Sequence, residues 1–295
     1  MITLGVLNYN RCAELRQTLD VLTRAIQYPD YEIIVVDNGS TDGSLEMIRS
    51  EFPSVILYEV GRNAGVSARN FMTPIARGKY LFNFDDDTCP GTPAMVLRIV
   101  QHMEKYPEID VLSSSYYQPV TGYLETAGWE HYRLSSISLK GIEAPFIVEG
   151  GVCFCLNALK KVGGYDPAWK GAEGAELALQ FFRKDCKMYL CPQFLTLHFI
   201  HPSNRLGRRA YVNASHNIWM IAKHWPFLAA APLIILSVLR RLLALIMHPD
   251  KAANSARGIL DGLKEIRPFL QYPSKLTWKQ TFTLKRYYFS LFRWA

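Results

Sequence analysis

Short apolar runs alternate with amphipathic stretches over roughly the first 115 residues, and this alternation limits the folds that the chain can adopt. The apolar runs are rich in β-branched and aromatic residues and predict strands at residues 2–7, 31–36, 55–59, 80–84 and 110–114. The stretches between them predict helices at residues 13–25, 44–52, 66–76 and 93–105. Strands separated by helices of this length require crossover connections. The pattern therefore predicts an α/β fold with a mainly parallel sheet, covered by helices on both faces.

The chain has 295 residues, of which 49% are hydrophobic and 20% charged, so it can form one large domain or one domain plus an extension. Its six cysteines contain no Cys-x-x-Cys pair of the kind that binds zinc. Because the number of cysteines is even, it does not exclude a set of disulfide bonds. The chain begins directly on the strand-like residues 2–7 with no signal peptide, so we expect reduced thiols and a cytoplasmic location.

Charge is distributed unevenly along the chain. Residues 206–295 contain 14 of the 33 Lys/Arg but only 3 of the 26 Asp/Glu. The first 205 residues contain 19 Lys/Arg against 23 Asp/Glu, so an acidic body precedes a basic, mostly helical extension. This asymmetry predicts two units, residues 1–205 and 206–295, and a phosphate-rich partner for the second, either a membrane or a nucleic acid.

Four predicted strands are each followed by polar, turn-forming residues. Because ligands of such sheets bind beyond the carboxyl ends of the strands, we expect these residues to form one site. Turn chemistry alone would explain any one of them, since Asn, Asp, Gly and Ser dominate turns. The four segments are residues 8–10, 37–43, 62–65 and 85–87.

The last of these segments, Asp85-Asp86-Asp87, places three adjacent carboxylates directly after an apolar strand. Adjacent carboxylates repel one another and are costly to bury without a partner. A hard divalent cation such as Mg²⁺, which takes oxygen ligands and shares them with phosphates, is a natural partner. A solvated acidic turn is the alternative.

In order and spacing, these motifs resemble those of family 2 glycosyltransferases with the GT-A fold, including bacterial transferases of O-antigen, rhamnosyl and other polysaccharide synthesis. The resemblance covers residues 2–198. It rests on Asn8-Tyr9-Asn10, the Val-Asp-Asn-Gly-Ser-Thr-Asp of residues 36–42, the Asn-Ala-Gly-Val-Ser-Ala-Arg-Asn of residues 63–70, the Asp triplet and Gly163-Gly164-Tyr165-Asp166. The resemblance implies a Rossmann-like GT-A domain.

The resemblance also implies roles for individual residues. Donor-binding residues would be Asn8, Tyr9, Asn10, Asp37, Asn63, Arg69, Asp85 and Asp86. A divalent metal, Mn²⁺ or Mg²⁺, would be held by Asp85, Asp87 and His198, with His201 as the alternative histidine. Such a metal stabilises the departing nucleoside diphosphate as a Lewis acid. The donor would be a UDP-, dTDP- or GDP-sugar.

The acceptor side departs from the family pattern. Family members usually carry Glu-Asp-x-Asp-Leu, whose first Asp is the general base, whereas this chain has Glu173-Gly174-Ala175-Glu176-Leu177. We therefore expect Glu173, or alternatively Glu176, to take the proton from the acceptor hydroxyl during a direct, inverting displacement. The alternative interpretation is that these acidic residues only mark the start of a helix, where negative charge interacts favourably with the helix dipole. Residues 129–131, with Trp129 foremost, and Gly151 are candidates for the acceptor pocket.

Residues 227–247 are almost wholly apolar, but Arg240-Arg241 interrupt them. Spanning a bilayer requires about 20 apolar residues, and each buried Arg costs about 2.5–3.5 kcal/mol. We therefore expect an interfacial or re-entrant segment and peripheral attachment to the cytoplasmic face of the inner, or plasma, membrane, with a glycan or lipid-linked acceptor. A helical cap on the core or a homo-oligomer interface is the alternative. Nucleic acid is disfavoured, because no nucleic-acid motif accompanies the basic residues.

Two other functions compete with transfer of a sugar. A nucleotidyltransferase-like enzyme also uses paired carboxylates on an α/β sheet, but no Gly-rich phosphate loop follows the first predicted strand. A catalytically weak sugar-nucleotide-binding or scaffold subunit of a polysaccharide assembly complex is compatible with Gly174 at the position of the family's base.

Overall fold

The computed structural model describes residues 1–119, 121–125, 137–143, 145–169, 172–199, 206–247, 249–273 and 275–291. The acceptor candidates at 129–131 and the alternative histidine, His201, lie outside these ranges. The first half of the chain comprises β1 (Ile2–Asn8), α1 (Cys12–Arg24), β2 (Tyr31–Asp37), α2 (Ser44–Glu51), β3 (Ile56–Glu59), a 3₁₀ helix (Gly65–Phe71), α3 (Met72–Ile75), β4 (Tyr80–Asp85), β5 (Thr88–Pro90), α4 (Met95–Lys105) and β6 (Ile109–Gln118).

The second half begins with short strands and ends in helices. Its elements are β7 (Tyr123–Glu125), β8 (Ile137–Ser138), β9 (Gly141–Glu143), β10 (Gly151–Cys155), α5 (Leu156–Val162), α6 (Glu173–Arg183), β11 (Lys187–His198), α7 (Leu206–His224), α8 (Phe227–Met247), α9 (Pro249–Lys264), α10 (Arg267–Leu270) and α11 (Trp278–Leu291). The predicted helix at 66–76 is thus a 3₁₀ helix followed by a single α-helical turn.

The strands form one sheet in the order β3-β2-β1-β4-β10-β6-β11-β9-β8. The first four are parallel, as are β6 and β11, which confirms the predicted α/β fold. The strand predicted at 110–114 does not pair with β4. Instead, β10 inserts between β4 and β6 and runs antiparallel to both.

Alternate residues of a central strand contribute to two different hydrophobic cores. In β2, Ile33 and Val35 pack into one core, whereas Ile34 and Val36 pack into the other. Because successive side chains of a strand point to opposite faces, this division shows that both faces of the sheet are covered. The continuous apolar run of β2 follows from this two-sided burial.

The C-terminal helices share a third core with the body of the molecule. Trp219 of α7 stacks on Phe269, with ring centroids 5.1 Å apart, and meets Trp169 edge-on at 6.5 Å. Leu179 of α6 is buried in the same cluster. The helices that follow residue 205 therefore pack directly against α6.

A buried polar cluster joins the same two parts of the chain. Lys223 of α7 is 1% exposed and forms ion pairs with Glu176 of α6 and with Asp166, the latter at 2.5 Å. His224 Nε2 donates a hydrogen bond to Glu176 Oε1 at 3.0 Å, and Gln180 Nε2 donates to Glu176 Oε2 at 2.7 Å. The Glu176 carboxylate is thus fully engaged inside the protein.

We expect stability to fall as the pH is lowered from about 6.5 towards 4. Burial lowers the pKa of His224 to about 4, and the charges of Lys223 and Arg183 act in the same direction. In the unfolded chain the pKa of histidine is near 6.5, so in this window the unfolded state binds more protons. Thermal denaturation should show a fall in melting temperature between pH 7 and pH 5 that is smaller in His224→Gln. Parallel pH curves for the two proteins would contradict this assignment.

Candidate functional site

The loops after β1 and β2 are joined by side chains that the sequence analysis assigned to donor binding. Asp37 is buried, and its Oδ1 accepts hydrogen bonds from the backbone N–H groups of Gly39 and Ser40 at 3.1 and 2.8 Å. Asn8 Nδ2 donates to Asp37 Oδ2 at 2.9 Å. Asn10, which adopts a left-handed conformation at φ 53°, accepts from the Thr41 N–H at 2.7 Å. These bonds fix the shape of one end of the rim.

The loop after β3 is attached to the same rim through Asn38. Asn38 Nδ2 donates to Asn63 Oδ1 and to the carbonyl oxygen of Gly65, both at 3.1 Å. Asn38 Oδ1 accepts from the Ala64 N–H at 2.8 Å. Asn63 therefore holds the loop that leads into the 3₁₀ helix and to Arg69.

Arg69 and Asp85 form a buried ion pair at the end of β4. The guanidinium is 1% exposed, contacts Asp85 Oδ1 and donates to the Phe84 carbonyl oxygen at 2.9 Å. The Asp85 side chain is 35% exposed, so it remains accessible from the rim.

Arg11 forms ion pairs with the other two carboxylates of the triplet. It lies between β1 and α1, and its Nη1 contacts Asp86 Oδ1 at 3.1 Å and Asp87 Oδ2. Sequence reasoning missed this residue, although it directly follows Asn8-Tyr9-Asn10 at the end of β1. Tyr9 itself is 42% exposed at this edge, and its N–H approaches Asp86 Oδ2 at 3.4 Å.

Strand pairing brings His198 to Asp87. The last residues of β11 pair antiparallel with β5, which begins at Thr88 directly after the triplet, in the register His198↔Thr88. The Phe199 N–H donates to the Asp87 carbonyl oxygen at 2.9 Å. As a result, His198 Nε2 lies 3.7 Å from Asp87 Oδ1, and its ring packs 4.8 Å from that of Tyr116.

The Asp87–His198 pair fits two ligands of one divalent cation. A separation of 3.7 Å is too long for a hydrogen bond, but metal–ligand distances of about 2.1 Å place neighbouring ligand atoms about 3–4 Å apart. Asp85, the third predicted ligand, is engaged by Arg69. Accordingly, no group of three His, Cys, Asp or Glu side chains in the described ranges is assembled for a metal.

The ionisation of the triplet indicates a shortage of positive charge. Burial raises the pKa of Asp86 to about 7 despite the opposing effect of Arg11. Burial and the charge of Asp85 also raise the pKa of Asp87. An additional cation at this edge would favour the ionised forms.

The backbone at Gly150 and Gly151 lies close against neighbouring side chains. A Cβ on Gly150 would lie 2.4 Å from Asp85 Oδ2 and 2.5 Å from Tyr116 Oη. A Cβ on Gly151 would lie 2.4 Å from Ser114 Oγ. Tyr116 Oη accepts a hydrogen bond from the Gly150 N–H, so the chain at 149–151 is held against the triplet.

Glu149 joins this chain to the first turn of α6. Its Oε1 is buried and accepts no hydrogen bond from any residue in the described ranges. The N–H of Gly174 donates to the same carboxylate. Burial, followed by the charge of Glu173, raises the pKa of Glu149 well above its usual range. Sequence reasoning missed this carboxylate, for which the adjacent Gly150-Gly151 was the available signal.

The two predicted base candidates therefore occupy different surroundings. Glu173 is half-buried at the start of α6, close enough to Glu149 for their charges to interact. Glu176, one turn later, faces inward to Lys223 and His224. The predicted donor-side residues at the ends of β1, β2 and β4 and in the loop after β3 lie along one rim.

Comparisons with known proteins agree with this architecture. The model of the family "Glycosyl transferase family 2" matches residues 3–214. Glycosyltransferase SunS encoded by the SPβ prophage of Bacillus subtilis is 29% identical over 140 residues, which cover 45% of this chain and 31% of that protein. A poly(ribitol-phosphate) beta-glucosyltransferase of Bacillus spizizenii is 33% identical over 94 residues, or 30% of this chain and 15% of that one. The alignments thus span about a third or less of these relatives.

Similarity to solved structures extends over the whole chain. The mannosyltransferase PcManGT from Pyrobaculum calidifontis, solved in complex with GDP-Man and Mn²⁺, superposes with a TM-score of 0.63 at 19% identity. The match covers 100% of this chain and 88% of that one. At this level of identity the similarity establishes the fold, which is that of GT-A glycosyltransferases.

Proposed function

Because the chain belongs to glycosyltransferase family 2, we propose that it transfers a sugar, with inversion, from a nucleotide-sugar donor to a hydroxyl group of a glycan acceptor. The observation that carries this proposal is the pairing of Asp87 with His198 beside Asp85 and Asp37, on one rim at the carboxyl ends of parallel strands. That edge is where such sheets bind nucleotides.

The donor half of the reaction uses the residues of this rim. The Asn8–Asp37 pair and the exposed Tyr9 ring would contact the base and ribose. Asp87 and His198, together with Asp85, would hold a divalent cation, Mn²⁺ or Mg²⁺. When bound, the cation supplies Lewis-acid stabilisation of the nucleoside diphosphate leaving group. Arg11 and Arg69 orient the three carboxylates by charge.

The acceptor half requires a group that removes a proton as the hydroxyl oxygen attacks the anomeric carbon. Glu173 stands at the start of α6, where helix N-terminal N–H groups favour an ionised carboxylate. Glu176 belongs to the same turn, but its carboxylate is bound by Lys223 and His224. Of the two residues named from the sequence, Glu176 is therefore set aside, whereas Glu173 lies close enough to a third carboxylate, Glu149, for their charges to interact. Gly151 marks the backbone against which the acceptor would lie.

Release of nucleoside diphosphate from a panel of donors tests this function. The protein would be incubated with UDP-, dTDP- and GDP-sugars and with Mn²⁺, Mg²⁺ or EDTA. Poly(ribitol phosphate) would serve as the first acceptor, because one relative is described as using it. We expect release from one nucleotide class, dependent on the metal. Absence of binding and turnover with every donor would refute the proposal.

A second part of the proposal concerns the lipid surface. No helix in the described part of the chain is both long and apolar enough to cross a membrane. However, α8 exposes an apolar stripe at spacings of three, four and seven residues, formed by Leu228, Ile235, Leu236, Leu239, Leu242 and Leu243. Arg241 turns back to donate to the Asn213 carbonyl oxygen at 2.7 Å, whereas Arg240 is exposed beside the stripe.

Charge complementarity favours an anionic bilayer as the occupant of this stripe. Leu260 and Leu263 of α9 extend the exposed apolar surface. Basic residues border it along the chain at Arg257, Lys264 and Arg267, and the acidic residues of the same stretch are Asp261, which pairs with Arg257, and Glu265. Apolar area together with basic charge is the combination by which helices lie in a membrane interface. Peripheral attachment of this kind would bring a lipid-linked acceptor to the rim.

We expect replacement of Leu236, Leu239 and Leu243 by glutamine to weaken binding to anionic phospholipid vesicles at least tenfold. Their side chains are 60, 53 and 65% exposed, so the variant loses membrane-facing area but no core packing. Sedimentation with phosphatidylglycerol vesicles measures the effect. Leu139→Gln, which changes an 86% exposed leucine before β9, is the control. Equal binding by the triple variant and the native chain would exclude this face as the membrane contact.

A further inference from the structure

Glu149 is positioned between the donor rim and the first turn of α6, where the acceptor hydroxyl must lose its proton. We propose that Glu149, supplied by the segment before β10, is the general base of the transfer reaction. This inference rests on the proposed function, since it assigns a residue to the reaction stated there.

The first support is the location of the residue. Gly150, the next residue along the chain, packs against Asp85 so closely that a Cβ would lie 2.4 Å from Asp85 Oδ2. On its other side, Glu149 accepts a hydrogen bond from the Gly174 N–H of α6. The carboxylate is therefore held between a donor-side carboxylate and the acceptor-side helix.

The second support is an unused acceptor atom. Glu149 Oε1 is buried and receives no hydrogen bond from the residues that the structure describes. A buried carboxylate oxygen without a donor destabilises the folded protein, so its retention calls for a role. An acceptor hydroxyl that donates to this oxygen would satisfy it in the bound state.

The third support is the glycine at 174. A Cβ on Gly174 would lie 2.9 Å from Glu149 Cγ and 3.3 Å from Glu149 Cδ. The Glu149 side chain thus occupies the space that a side chain at 174 would enter. The family's acceptor-side motif usually has its base at the position of Gly174. In this chain the carboxylate next to that position is that of Glu149, which comes from a different segment.

The chemistry of the step balances within the proposed reaction. The acceptor oxygen forms a bond to the anomeric carbon as its proton passes to Glu149. The bond from the anomeric carbon to the diphosphate oxygen breaks, and the nucleoside diphosphate leaves with the electron pair. Glu149 then returns the proton to solvent.

Its surroundings make Glu149 a stronger base than an exposed glutamate. Burial raises its pKa first, and the neighbouring carboxylates of Glu173 and Asp85 raise it further, against the charge of Arg69. Other charged or titratable groups that interact with it are Tyr116 and Tyr165. A carboxylate with a raised pKa is a stronger base, so it removes a proton from a hydroxyl group more readily.

The test compares the native chain with Glu149→Gln, whose amide oxygen still accepts from the Gly174 N–H. With the donor found in the panel above, we expect nucleoside diphosphate release to fall about a hundredfold, whether poly(ribitol phosphate) or water is the acceptor. The affinity for the nucleoside diphosphate should stay within twofold of that of the native chain. The melting temperature should change by no more than a few degrees. Glu143→Gln, at an exposed glutamate of β9, should behave as the native chain.

A second variant separates a catalytic from a structural role. Glu149→Asp keeps a carboxylate at this position on a side chain that is one methylene shorter. We expect this variant to retain at least tenfold more rate than Glu149→Gln. If the native chain turns over donor and Glu149→Gln does so at a similar rate, the base assignment is overturned while the proposed function stands. If the native chain neither binds nor turns over any donor, both are overturned.

Discussion

Asp87→Asn is expected to lower the rate of nucleoside diphosphate release about a thousandfold. Its carboxylate lies between Arg11 and His198, and we propose that Asp87 and His198 together hold the divalent cation. A metal-bound leaving group accounts for several kcal/mol of transition-state stabilisation, and a thousandfold loss corresponds to about 4 kcal/mol. Initial rates at saturating Mn²⁺, with donor affinity from calorimetry, measure the effect.

The same substitution should leave the fold intact or make it slightly more stable. Burial and repulsion from Asp85 raise the pKa of Asp87. The ionised carboxylate therefore destabilises the folded protein in the absence of ligand. Asp110→Asn is the matched control. Asp110 lies at the start of β6, at the opposite edge of the sheet from His198, where it accepts from the Lys187 N–H at 2.8 Å. An Asp87→Asn variant that keeps more than a tenth of the native rate would remove this residue from the site.

Lys223→Met is expected to lower the free energy of unfolding by about 3–5 kcal/mol. The substitution leaves Glu176, which is 1% exposed, as a buried carboxylate without its ion-pair partner. It also removes the partner of Asp166. Urea denaturation measures the change. Lys79→Met, which breaks the exposed pair with Glu104, is the control and should cost less than about 1 kcal/mol.

Adding Glu176→Gln to Lys223→Met tests whether the loss comes from an unpaired charge. The double variant has no ionised group at either position, and the glutamine keeps hydrogen-bonding capacity toward His224 and Gln180. We expect it to be more stable than Lys223→Met alone. A double variant whose loss equals the sum of the two single losses would show that the two residues are not coupled.

The fold, and with it the placement of the polar segments along one rim, was accessible from the sequence because it depends on local patterns. Apolar runs separated by amphipathic stretches specify parallel strands with crossovers, and polar residues after each run then share one edge. The position of β10 was not accessible in this way. The sequence analysis predicts no strand at residues 151–155, and nothing local records that these residues insert antiparallel between β4 and β6.

The contacts missed by sequence reasoning share one property, which is that the residues that form them are distant in the chain. Glu176 looks like an exposed helix-start residue until Lys223, 47 residues later, turns it into part of a buried cluster. Arg11 meets carboxylates 75 and 76 residues away. Glu149 is identified by the space that Gly174 leaves. Charge pairing and steric occupancy of this kind arise from tertiary packing and leave no periodic trace in the sequence.

The pairing of β11 with β5 also determines when this site forms. Asp87 and His198 come from segments far apart in the chain, and a register of three residue pairs is what sets them side by side. Contacts of such high sequence separation form late, because the entropy of closing the intervening chain must first be overcome. During synthesis, a nascent chain that has not yet extended past β11 has the carboxylates but not the histidine. The donor site that we propose is therefore completed only when β11 docks on β5.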